Sequence, residues 1–149
     1  MAKKPTSADA QLILQLYDLR REAELRKARA WWASSFWPQS ADDILKAVST
    51  PGQENAWLRQ VGGYWDMVAS LVLRGVLNED LVFDTCGELW FTFAKICPYM
   101  QEYRKKSNSP DGFIHTEKLA TRTKQGRERL QRMVKLQQER RKAFVEVER

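Results

Sequence analysis

The long stretches of this chain repeat their apolar residues at helical spacing, and none alternates apolar with polar residues as a half-buried strand would. Proline or glycine closes these stretches at intervals. That combination restricts the fold to packed helices. The first predicted helix runs from about Ala8 to Phe36, capped by Ser7. Leu12, Leu16, Leu19, Ala23 and Ala30 form its apolar stripe, widened by Ile13 and Tyr17. At 1.5 Å per residue it would be ~40 Å long, enough to brace a domain. Pro38 ends it, because the residue before a proline is pushed out of the helical region.

The next starts follow from capping chemistry. "SADD" reads as a capping box from Ser40 to Asp43, opening a short helix with Ile44, Leu45 and Val48 on its apolar face. "TPGQ" places Thr50 at a cap and Pro51 at the first helical position. The third predicted helix then extends to Arg74, with Gly75 as its stop. Asn78 restarts the chain, and Glu79 and Asp80 favour the positive end of a fourth helix reaching Cys97. The short connection predicts that the third and fourth helices form an antiparallel hairpin at the centre of the fold. Pro98 kinks the chain or opens a stretch through Lys106, "SNSPDG" is a loop, and a fifth helical region begins near Phe113, bent or broken at Gly126.

The expected fold is all-α: a compact bundle of about five helices, the first long, the basic C-terminal one peripheral. Residues 1–112 would form the bundle core and residues 113–149 a helical segment packed on the same domain. The predicted core is Leu16, Leu19, Trp32, Phe36, Val61, Trp65, Val68, Leu71, Val72, Leu81, Leu89, Phe93 and Ile96. A chain of 149 residues buries roughly 70% of its unfolded surface, so it needs no metal or disulfide to fold. Cys86 and Cys97, placed on one helix, would lie ~16 Å apart. That exceeds the ~7 Å limit of a disulfide, so reduced thiols are expected.

"MAKKPTSADAQ" has no apolar run behind its basic start, which argues against a secretory signal. Asp84, Glu88 and Lys95 interrupt the most apolar region, so no membrane span is expected. A cytoplasmic protein is the resulting expectation.

Four features invite a chemical reading. Asp84 and Glu88, four residues apart on an apolar helix, have the spacing of a metal-binding or acid–base carboxylate pair. The lone histidine, His115, has no Glu or Asp three residues before it, so a bundle di-metal set is absent. The preferred reading makes Asp84, Glu88, Thr92 and Lys95 a narrow solvent stripe, with Arg59 or Arg74 as partner for one carboxylate. His115 is expected on the surface or in a first helical turn. Gly62 and Gly63 each cost ~1 kcal/mol in a helix interior, which predicts a bulky neighbour packed close to them.

Basic residues crowd the last third, where residues 101–149 carry a surplus of +7. Arg122, Lys124, Arg127, Arg129, Arg132, Lys135, Arg140, Arg141 and Lys142 are candidates for phosphate or another anionic surface. Interspersed glutamates and the lack of interleaved aromatics favour a solvated helix instead. Finally, "RAWWASSFWPQS" holds Trp31, Trp32 and Trp37, three of six tryptophans, and no residue between Arg29 and Asp42 is charged. These rings fill a helix junction, while any that remains exposed is a candidate partner surface.

"LYDLRREAELRKARAWW", "NAWLRQVGGYWDMVASLVLRGVLNEDL" and "RERLQRM" resemble segments of a family of small, all-helical bacterial proteins of unknown function. The likeness spans Gln11 to Met133 and rests on phrases such as "LRQV", "GYW" and "RGVLNEDL". It implies a bacterial, cytoplasmic protein and transfers no activity, cofactor or site residue. The sequence therefore leans away from an enzyme and toward an interaction or regulatory module without cofactors, its partner itself or another protein. The alternatives are a nucleic-acid or anionic-surface binder and a small ligand-binding protein or enzyme using Asp84 and Glu88.

Overall fold

A computed structural model describes residues 3–149. Its helices are α1 (Ser7–Arg20), α2 (Ala23–Ser34), α3 (Ala41–Ser49), α4 (Gln53–Leu73), α5 (Glu79–Thr85), α6 (Glu88–Ile96), α7 (Met100–Lys106), α8 (Ile114–Arg122) and α9 (Lys124–Val147), with a 3-10 turn at Cys97–Tyr99. The fold is all-α, but two of the expected long helices are cut. This overturns the bundle of about five.

The first cut falls at Arg21 and Glu22. The Glu22 carboxylate accepts the Leu25 amide at 2.8 Å and so caps α2 as a new helix. The second falls at Cys86–Gly87, where Cys86 adopts φ −115°, ψ 43° and ends α5 before α6 begins. Cys86 and Cys97 therefore do not share a helix, although both thiols are free. Burial pushes both above the usual thiol range.

Several caps fall within a residue or two of their predicted places. Thr6, rather than Ser7, caps α1, and the Asp9 carboxylate returns the bond to the Thr6 amide at 2.7 Å. Ser40 and Asn78 cap α3 and α5 as expected. Gly52, not Thr50, caps α4, at φ +139°, a conformation glycine adopts without strain. The break in the C-terminal region lies at Thr123, whose hydroxyl accepts the Gly126 amide at 2.9 Å. A Cβ at Gly126 would stand 2.7 Å from the Ala120 carbonyl oxygen, so the tight α8–α9 corner requires glycine there.

The packing also differs from the expected hairpin. α4 lies against α2 and α8, whereas α6 lies chiefly against α9. The cut at Cys86–Gly87 separates the two halves of the predicted fourth helix and sends them to different neighbours. α9 is consequently not peripheral: Leu130 and Gln137 are buried, with Met133 and Val134 packed on the core. Ten of the predicted core residues are buried, but Leu71 and Leu81 are half-buried and Leu19 lies outside. No helix among the described residues is long and apolar enough to cross a membrane.

Candidate functional site

Glu88 is the first residue of α6 and the centre of a partly buried ionic cluster. Arg29 Nε donates to Oε1 and Arg29 Nη2 to Oε2, both at 2.6 Å, a two-pronged grip. Arg20 Nη2 donates to Oε2 at 2.5 Å. Arg29 also donates to the Arg20 carbonyl at 3.3 Å, tying the end of α1 to α2. Burial pushes the Glu88 carboxyl upward, but the Arg29 hydrogen bonds and the charges of Arg20 and Arg29 outweigh it and leave the pKa lowered. The same bonds, donated to Glu88, raise the Arg29 pKa.

The expected partners, Arg59 and Arg74, are not the ones used. Arg59 donates to Asn55 at 3.0 Å on its own helix, and Arg74 is exposed. Asp84 is exposed on α5, across the break from Glu88, so the two carboxylates are not four apart on one helix as expected. The expected solvent stripe is corrected as well, since Thr92 and Lys95 are buried. Lys95 Nζ donates to the carbonyls of Trp32 and Ala33 in the last turn of α2, where the helix dipole is negative. It lies 3.7 Å from the centroid of the Trp37 ring. Burial, with Arg140 nearby, lowers its pKa to about 7.

Trp31 and Trp32 are buried. Trp31 stacks on Phe36 with centroids 4.8 Å apart, and the Trp32 indole donates to the Thr92 carbonyl at 3.2 Å. Trp37 is half-buried between Lys95 and Phe144, whose centroid is 5.7 Å away. These rings spend their surface inside the chain.

The basic residues divide into two groups. Arg127 donates to the carbonyls of Thr121 and Arg122 at the end of α8. Arg129 donates to the Phe83 carbonyl at 2.6 Å and sits 3.5 Å from the Phe83 ring centroid. Arg141 meets Tyr99 Oη at 3.4 Å, Arg122 pairs with Glu79 at 3.6 Å and Lys124 with Glu128 at 4.0 Å. Arg140 leans over Phe91, whereas Arg132, Lys135 and Lys142 are exposed and make no ion pair among the described residues.

Three elements escaped the sequence reading. Arg20 and Arg29 looked like members of a solvated charged run. Only the neutral residues that follow Arg29 hinted that it faces inward. The anchored side of α1 was also hidden: Tyr64 Oη donates to the Leu16 carbonyl at 2.6 Å and Asp9 accepts the Asn78 amide at 2.9 Å. Leu14 remains 69%, Leu19 54% and Tyr17 44% exposed, although the Tyr17 hydroxyl donates to the Thr85 carbonyl at 3.1 Å. Lastly, His115 lies in the first turn of α8 as expected, but its partner was hidden: it approaches Asp66 at 2.8 Å, while the other Asp66 oxygen accepts the Thr116 amide.

Between α2 and α6, beside Glu88, lies a cleft of about 490 Å³ that Arg26 and Arg29 help to line. No group of three or more His, Cys, Asp or Glu side chains among the described residues is placed to hold a metal ion. Fold and site together define an all-helical domain whose polar centre joins helices. A family model described as a domain of unknown function, DUF4760, matches residues 5–123, and the chain belongs to that family. No curated protein and no solved structure gives a significant match.

Proposed function

We propose that this domain is a non-enzymatic interaction module that self-associates through the outer face of α1. The carrying observation is the exposure of Leu14, Tyr17 and Leu19 on a helix that is also apolar on its inner face, at Ile13 and Leu16. α1 thus carries exposed apolar residues, interspersed with Gln11, Gln15 and Asp18, outside the side that packs on the chain. Within the chain α1 packs on α2 and α5, and Tyr64 of α4 and Glu88 of α6 reach its inner side. A second copy suits the open side because Asp18 and Arg21, both exposed, flank it without an ion partner among the described residues.

Burying each leucine contributes about 1.5–3 kcal/mol, which favours association at moderate concentration. Size-exclusion chromatography with light scattering tests the reading. A concentration-dependent dimer is expected, abolished by the Leu14→Glu, Leu19→Glu double variant with the helical circular dichroism retained. A strictly monomeric wild type at high concentration overturns it.

A further inference from the structure

We infer that the cleft between α2 and α6 is a binding site for a small amphiphile with an anionic head, a carboxylate or a phosphate, and an apolar body. At about 490 Å³ the cleft lies within the size range of small-molecule sites. Its walls are apolar: Trp32 and Ala33 of α2, Val61 of α4 and Phe91 of α6. Ala30 and Ala33 are what keep it open, because larger side chains at these positions would fill it.

The charge lining it is net positive. Arg26 and Arg29 line the cleft, and the single acid of the lining, Glu88, is already shared between Arg29 and Arg20. Arg26 is exposed and makes no ion pair among the described residues. Glu88 grips Arg29 through Nε and one Nη2 hydrogen, which fixes the guanidinium plane while leaving other N–H groups to donate. A planar, pre-oriented guanidinium beside a free one matches the paired oxygens of a carboxylate or phosphate. The apolar walls then take the hydrocarbon or ring that such a head carries. This site is separate from the exposed face of α1 and does not depend on self-association.

The test is a titration of isotope-labelled full-length protein with octanoate, octyl phosphate and octanol, followed by the indole N–H resonance of Trp32. That group donates to the Thr92 carbonyl, and both residues line the cleft. Saturable shifts are expected with either anion, whichever head binds more tightly naming the class, and with octanol only about tenfold more weakly or worse. Arg26→Ala, a surface change, should weaken the anions by about tenfold and leave octanol unaffected. Ala33→Phe should abolish all three. Failure of both anions to give a saturable shift at millimolar concentration overturns the assignment. So does affinity undiminished in the Arg26→Ala variant.

Discussion

Replacing Glu88 by glutamine probes the centre that joins α1, α2 and α6. The carboxylate accepts three charged N–H bonds, and its side chain is only 21% exposed, against 11% for Arg20 and 25% for Arg29. Glutamine cannot neutralise the two guanidiniums, which would then repel each other in a poorly hydrated place. Arg20 has little slack, since its Nε is already buried without a partner. Stranding buried charge costs 3–5 kcal/mol in deep sites, and partial water access to Arg29 reduces this to about 2–4 kcal/mol. For a chain of this length that lowers Tm by about 5–15 °C. The assay is thermal unfolding followed by circular dichroism at pH 7 and in acid. Because folding lowers the Glu88 pKa, the stability it contributes is present above the usual carboxylate range of about 4.3 and is lost as pH falls through the lowered value. The gap between wild type and Glu88→Gln must therefore close in acid, where the protonated carboxyl resembles the amide. A gap below about 2 °C at pH 7 would refute the reasoning, as would a gap that keeps its size in acid. Asp84→Asn, at an exposed position, is the control and should move stability by no more than about 0.5 kcal/mol.

Two further outcomes follow from neighbouring contacts. Folding lowers the Lys95 pKa to about 7, so the unfolded chain binds more protons above that value and stability should rise from pH 7 toward pH 10. Lys95→Met should flatten this rise in a Tm-versus-pH series, and an unchanged slope would place the titration elsewhere. A Cβ at Gly62 would lie 2.5 Å from the Phe113 ring, whereas one at Gly63 meets nothing within 4 Å. Denaturant melts should therefore show Gly62→Ala destabilising by about 1–3 kcal/mol and Gly63→Ala stabilising by about 0.5–1 kcal/mol. Equal effects at the two positions would deny the close approach.

At Gly62, though not at Gly63, the bulky neighbour the glycines called for is Phe113, from a region that sequence spacing could not connect to α4. That contrast holds across the molecule. The all-α class, the stop at Gly75 and the caps at Ser40 and Asn78 were legible because they rest on contacts within about four residues. The carboxylate worth attention, Glu88, was also legible as a candidate. Its partners were not: Arg20 and Arg29 lie 68 and 59 residues away, and their own surroundings looked solvated. The cuts at Glu22 and Cys86–Gly87 were equally hidden, because local propensity allowed the helices to continue. By itself, then, the sequence determined which segments are helical and which residues prefer burial, since both are set by short-range geometry and transfer from water. Only the tertiary structure decided that α4 meets α2 and α8, that α6 meets α9, and that Glu88 faces two arginines beside an open cleft. Those pairings depend on how bent and broken helices fill space together, which no periodicity along the chain encodes.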